Sequence, residues 1–179
     1  MKKLLLLLFY LNLVGCKGCK DLLHPDINQL PPITQDGANT FGAIVNGKVW
    51  VPAGYYNGSF NQTVSYYPGN GQGALNVTCY RVTDTISSDV TFLRIGLDSL
   101  EDYKMPHTFV LKPNGNAWLG YSQYCLYDSI DSSTKSSGSV TISKLDTATG
   151  ILSGTFSGVL IKAGCDTITI TDGRFDFKL

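Results

Sequence analysis

Side chains that could act as general acids and bases are few in this chain. The sequence holds 13 Asp, the single glutamate Glu101, and two histidines, His24 and His107. No G-x-S-x-G motif accompanies His107, so a Ser-His-Asp arrangement is not indicated. An Asp-dependent hydrolase remains an alternative, because carboxylates alone can carry acid–base chemistry. We expect a non-catalytic protein without a cofactor.

Metal-binding patterns are weak. The segment Cys16-Lys17-Gly18-Cys19 has C-x-x-C spacing, but no second Cys or His pair follows it. The segment 128–133 is rich in oxygen ligands, yet it lacks the Gly and the closing Glu of an EF-hand. We therefore predict a polar loop there and no metal site.

The N-terminus reads as an export signal. Lys2 and Lys3 precede an apolar run, Leu4 to Tyr10, that is too short to span a bilayer. Leu13-Val14-Gly15-Cys16 then resembles the lipobox of bacterial lipoproteins, in which the Cys sulfur is lipidated and the chain is cut before it. The alternative is an ordinary signal peptide cut elsewhere, with Cys16 lost or left as a thiol.

Lipidation at Cys16 would anchor the protein, because two or three acyl chains together hold a protein on a membrane almost irreversibly. Removing residues 1–15 takes Lys2 and Lys3 away, so the formal net charge falls from zero to −2. A chain without a basic field has little affinity for phosphate backbones, so no nucleic acid partner is expected.

Four cysteines remain after Cys16: Cys19, Cys79, Cys125 and Cys165. Three full pairings are possible, and four free thiols are the alternative. Cys19 lies beside the lipid and Cys79 falls on the apolar face of a strand, so we favour a Cys125–Cys165 disulfide. Closing that loop of about 40 residues would stabilise the fold by roughly 4 kcal/mol.

The elements that must position these residues are β-strands. Residues 16–37 contain three prolines and little periodicity and are predicted to be a flexible tether, whereas 38–179 show short β-branched and aromatic runs cut by turn residues. Asn46-Gly47 predicts a type I′ hairpin turn. We predict a single antiparallel β-sandwich of nine or ten strands, with a closed or partly open barrel as the alternative.

The C-terminal third is the most regular part of the chain. Runs at 139–145, 151–162, 166–171 and 174–179, separated by turn residues such as Asp172-Gly173, predict three consecutive hairpins. Along 151–162, Leu152, Phe156 and Leu160 fall on one face together with two glycines.

Several motifs resemble a family of Bacteroidetes-type lipoproteins of unknown function. Phe41 to Trp50 matches its F-x-x-x-V-N-G-x-x-W opening, and Leu152-Ser153-Gly154-Thr155-Phe156 resembles its I-S-G-T-F strand. The resemblance spans most of 38–179 and implies an envelope lipoprotein on the outer membrane. The acidic run that surface-exported members carry after the lipidated Cys is absent, which favours the periplasmic face.

The same resemblance implies O-glycosylation at Asp-[Ser/Thr]-[apolar or Thr] sites. Five hydroxyls fit that pattern, namely Thr85, Ser99, Ser129, Thr147 and Thr167. The alternative interpretation is turn chemistry, because Asp and Ser or Thr bond nearby backbone N–H groups.

Aromatic residues beside Gly- and Asn-rich turns could stack on sugar rings or form a protein interface. The candidates are Trp118, Tyr121, Tyr66 and Tyr67, although aromatic residues also fill β cores. We therefore expect a lipid-anchored envelope protein that presents its β-domain to a glycan or a protein, with a purely structural envelope component as an alternative.

Overall fold

The computed structural model describes residues 28–69, 73–84 and 89–179. In this part of the chain we find eleven strands and one 3-10 turn, Leu100–Asp102. The strands are β1 (Thr40–Val45), β2 (Lys48–Trp50), β3 (Gln62–Tyr67), β4 (Ala74–Asp84), β5 (Asp89–Leu97), β6 (His107–Val110), β7 (Ala117–Ser122), β8 (Leu126–Asp128), β9 (Thr134–Asp146), β10 (Ile151–Lys162) and β11 (Ile168–Lys178). None of the described residues belongs to a helix long and apolar enough to cross a membrane.

The strands form two antiparallel sheets that pack face to face. The six-stranded sheet has the order β2-β1-β11-β10-β9-β6, and the five-stranded sheet has the order β3-β4-β5-β7-β8. The predicted β-sandwich is confirmed, and the sheets do not close into the alternative barrel. The predicted number of about nine or ten strands was slightly low, and β8, with three residues, is too short to show alternation.

The core lies between the two sheets and follows the period-two pattern of the strands. On β4, Leu75, Val77 and Cys79 are fully buried, as their alternation with polar residues predicted. On β10, Leu152, Phe156 and Leu160 face the same interior.

Two predicted turns had different outcomes. The Asn46-Gly47 turn between β1 and β2 is confirmed, and both residues have positive φ, 47° and 76°. The predicted turn at Asp172-Gly173 is wrong, because β11 continues through it and only shifts its register against β10. A Cβ at Gly173 would lie 2.4 Å from the carbonyl oxygen of Phe156, so the glycine permits close approach rather than reversal. The C-terminal third therefore forms two hairpins instead of three.

Residues 28–37, which the sequence places in the tether, lie on the outer face of the six-stranded sheet. A Cβ at Gly42 of β1 would lie 2.8 Å from the Pro31 ring. The Arg174 guanidinium donates to the carbonyl of Pro31 at 3.4 Å, and Lys144 Nζ donates to that of Gln35 at 3.1 Å. This segment is part of the folded domain, and the rest of the predicted tether, 16–27, lies outside the described residues.

Asp176 of β11 fixes this segment. Its carboxylate is buried, with 1% of the residue exposed. It accepts hydrogen bonds from the Thr34 hydroxyl (2.6 Å), the Ser153 hydroxyl (2.7 Å) and the backbone N–H groups of Asp36 (3.0 Å), Gly37 (2.9 Å) and Ala38 (3.2 Å). Burial alone raises the pKa of Asp176, but these hydrogen bonds outweigh it and bring the pKa down to about 2.

The favoured disulfide is present. Cys125, between β7 and β8, is bonded to Cys165, between β10 and β11, and thereby joins the two sheets. Cys79 is a free thiol in the core, and burial raises its pKa well above the usual value. Cys16 and Cys19 lie outside the described residues.

Candidate binding site

At one end of the sandwich, inward-facing positions that are apolar elsewhere carry polar side chains. On β4 the buried apolar series stops, and Arg81 takes the next inward position. Its partner on β5 is Thr91, which also faces inward. Just beyond the end of β7, Gln123 is exposed at the rim of the same end. The interior of this end is therefore suited to polar contacts.

These side chains line a pocket of about 480 Å³ between the sheets. We define the end pocket by Lys48, Trp50, Arg81, Thr91, Tyr121 and Gln123. Trp50 and Tyr121 are its aromatic walls and are largely buried, at 5% and 8% exposure. A concave site of this size, with aromatic walls and a few convergent polar groups, is typical of small-ligand binding.

A chain of hydrogen bonds holds the floor of the end pocket in place. The Trp50 indole N–H donates to the Thr91 hydroxyl at 2.8 Å, and that hydroxyl donates to the backbone carbonyl of Arg81 at 3.4 Å. The Arg81 guanidinium in turn donates to the carbonyl of Val49 at 2.9 Å. Because Trp50 and Val49 belong to one sheet and Arg81 and Thr91 to the other, the chain fixes the width of the opening.

The opposite rim is organised around Gln123. Its amide nitrogen donates to both carboxylate oxygens of Asp89, at 3.1 and 3.3 Å, and the Tyr124 hydroxyl donates to one of them at 3.2 Å. The Tyr121 hydroxyl lies 3.5 Å from the Gln123 amide oxygen. Burial, and then the charge of Asp89, raise the pKa of Tyr121, so its phenol remains a neutral hydrogen-bond donor at physiological pH.

Lys48 completes the site from the β1–β2 hairpin. It is paired with Val45, a residue that faces the interior, so Lys48 projects toward the same side. The neighbouring Asn46 is engaged with backbone groups of Thr167 and Thr169 at 3.3 and 2.7 Å. Among described residues, no hydrogen bond or ion pair engages the Lys48 ammonium.

The four aromatic residues proposed for ligand binding do not lie together in the structure. Only Tyr121 lines the end pocket. Tyr66 donates to Glu101 at 3.0 Å, and burial and Glu101 raise its pKa. Trp118 lies on the outer face of the five-stranded sheet, where a Cβ on Gly96 would be 1.8 Å from its indole nitrogen. Tyr67, 62% exposed, is on the same face, three strand spacings or roughly 14 Å away.

The predicted glycosylation sites differ in accessibility. Thr147 and Thr167 are exposed, whereas Ser99 is half-buried at the 3-10 turn. Ser129 is fully buried, and its hydroxyl accepts the N–H of Leu119 at 2.8 Å, so the folded chain does not offer it to a glycosyltransferase. Thr85 lies outside the described residues.

The residues considered for acid–base chemistry or metal binding, His107 and the loop 128–133, make ring-packing contacts and local hydrogen bonds. The His107 ring stacks on Tyr103, with centroids 4.1 Å apart, and meets Phe109 edge-on. In the oxygen-rich loop, Asp128 accepts the N–H of Ile130, and Asp131 accepts from Ser133. In the part of the chain that the structure describes, no three His, Cys, Asp or Glu side chains converge on a metal position.

Most residues of the end pocket escaped the sequence analysis. Lys48, Arg81 and Gln123 were not singled out, and Trp50 was named only as part of the F-x-x-x-V-N-G-x-x-W motif. The break in alternation after Cys79 does mark Arg81 as an inward-facing charge. Which strands meet at that end depends on the order of the strands in the two sheets, and local sequence patterns do not determine this order.

Comparisons with known proteins found no relative of this chain. The chain matches no protein-family model, no curated protein and no solved structure.

Proposed function

We propose that this chain is a non-catalytic envelope protein, anchored by lipid at Cys16, that binds a saccharide in the end pocket. The observation that carries the proposal is the set of inward-facing polar side chains around an opening of about 480 Å³. In a sandwich interior such positions are normally apolar, because an unsatisfied buried polar group is costly. At the end pocket these groups face an opening that a ligand can fill.

The mixture of surfaces in the end pocket suits a sugar ring. Trp50 and Tyr121 are largely buried, and the edges that stay exposed in the pocket can contact the C–H groups of a ring. Around them, Gln123 and the phenol of Tyr121 offer hydrogen bonds to hydroxyls. The hydrogen-bonded floor is already formed in the free protein, so little ordering is needed when a ligand binds.

Saccharide binding is tested with the mature full-length chain on a glycan array and by titration of each hit. Gln123→Trp places a bulky ring at the mouth of the end pocket, and we expect it to weaken binding at least about tenfold. Trp118→Ala is the matched control, because it removes an aromatic residue from the outer face. Retained binding in Gln123→Trp with loss in Trp118→Ala would move the site to the outer face, and binding to no saccharide would refute the function.

The lipid anchor rests on the lipobox-like Leu13 to Cys16 and on the export signal before it. The eleven residues between Cys16 and Asn28 span at most about 40 Å when fully extended, so an anchored domain would stay close to the membrane. Metabolic labelling with a palmitate analogue should label the wild-type chain but not Cys16→Ala. A labelled Cys16→Ala, or an unlabelled wild type, would contradict the anchor.

A further inference from the structure

The end pocket concentrates positive charge in a protein that has no basic surface overall. Lys48 reaches it from β2 and Arg81 from β4, whereas the whole chain carries 14 basic and 14 acidic residues. Two cations on opposite sheets that face one opening create a local positive potential, and low-dielectric walls strengthen it. The position of the charges, rather than their number, distinguishes this site.

Neither cation is neutralised by a described carboxylate. The two ion pairs among described residues are Lys162–Asp131 and Arg174–Asp172, and both lie outside the end pocket. Asp89, the acidic residue of the rim, accepts hydrogen bonds from Gln123 and Tyr124. The Val49 carbonyl engages one of the five N–H donors of Arg81 and thereby fixes the guanidinium in place.

We infer that the ligand of the end pocket is an acidic saccharide, with its carboxylate bound between Lys48 and Arg81 and its ring placed against Trp50 and Tyr121. This inference rests on the proposed function and specifies its ligand class. Charge-assisted hydrogen bonds to a carboxylate are roughly twice as strong as neutral ones, and a guanidinium can bind a carboxylate through two N–H groups. A neutral sugar would make no charge-assisted hydrogen bond of this kind to either cation.

The test compares each acidic sugar with its own methyl ester, which keeps the ring and removes the charge. The mature full-length protein is titrated calorimetrically with trisaccharides of galacturonate and of glucuronate, each as free acid and as methyl ester. We expect at least one free acid to bind about tenfold or more tightly than its ester. We also expect that preference to shrink as salt is raised, because the charges are at an open pocket.

Lys48→Met is the informative variant, because Lys48 is exposed and its loss should leave the thermal midpoint unchanged. It should reduce the acid-over-ester preference about fivefold or more, whereas Lys135→Met, an exposed lysine on β9, should leave it intact. Equal affinity for acid and ester, or an unaltered preference in Lys48→Met, overturns the inference. If neutral saccharides bind while acidic ones do not, the inference fails and the proposed function stands; if no saccharide binds, both fail.

Discussion

Asp176 and the end pocket both place polar groups where a β-sandwich usually has apolar ones. The two regions differ in how many of those groups already have hydrogen-bond partners within the protein. Asp176 receives five hydrogen bonds from the segment 34–38 and from Ser153. In the end pocket, no described residue pairs with the Lys48 ammonium, and Arg81 joins the sheets through a hydrogen bond to the Val49 carbonyl. A buried charge with all its acceptors in use holds structure, whereas groups that face an opening with donors to spare are suited to a ligand.

Replacing Asp176 should have the largest effect on stability. Asp176→Ala removes the acceptor of two hydroxyls and three backbone N–H groups, so we expect the free energy of unfolding to fall by about 3–4 kcal/mol in urea titrations. Limited proteolysis should also cleave the segment 28–38 faster. Asp172→Asn, at an exposed residue of the same strand whose positive φ of 51° Asn also tolerates, should cost less than about 0.5 kcal/mol. A loss below about 1 kcal/mol in Asp176→Ala would contradict a structural role for its saturated carboxylate.

Like the Asp176 hydrogen bonds, the Cys125–Cys165 disulfide links parts of the chain that are distant in sequence. It joins the two sheets at the end of the sandwich that contains the pocket. Cys125 and Cys165 are 40 residues apart, so removing both with Ala should lower the free energy of unfolding by about 2–4 kcal/mol. The reference is Cys79→Ala, which leaves the crosslink in place and tests only the loss of a small buried side chain. If reducing agent leaves the wild-type midpoint unchanged, the bond has little effect on stability.

The low pKa of Asp176 makes its contribution depend on pH. Because the pKa is depressed in the folded state, from 3.8 to about 2, this stability is present above pH about 4 and is lost as pH falls toward 2. The difference in unfolding free energy between the wild type and Asp176→Asn should therefore shrink by about 2 kcal/mol over that interval. A difference that stays constant from pH 5 to about pH 2 would show that the charged form is not preferred.

A smaller effect is expected at the floor of the end pocket. Trp50→Phe removes the indole N–H that donates to Thr91 but keeps a ring beside Phe41, so we expect a loss of about 1 kcal/mol. Trp118→Phe provides the comparison on the outer face. If the two variants lose the same stability, the hydrogen bond to Thr91 adds nothing measurable to the fold.

The sequence predicted the parts of the fold that local patterns control. The hairpin at Asn46-Gly47 and the inward face of Cys79 follow from turn chemistry and alternation, and the Cys125–Cys165 pair followed from eliminating the other cysteines. The continuous β11 was missed, because Asp172-Gly173 has turn chemistry and only the close approach of Phe156 shows that the strand continues.

The end pocket was harder to predict, because its residues come from strands distant in sequence. Tyr121 was singled out for its aromatic ring, but Lys48 and Arg81 become neighbours only once β2 and β4 are known to lie in facing sheets. Asp176 was missed for the same reason, since four of its five donors come from a segment about 140 residues away that resembled a tether.

The most direct test of the account is to map the binding surface by backbone amide chemical shifts as trigalacturonate is added to the full-length mature protein. We predict shifts at residues 45–50, 81, 89–91 and 121–124, with none at 34–38 or at Asp176. Shifts confined to the outer face around Gly96 and Trp118 would contradict the assignment of ligand binding to the end pocket. An unchanged spectrum, together with binding of a neutral saccharide elsewhere on the protein, would contradict it as well.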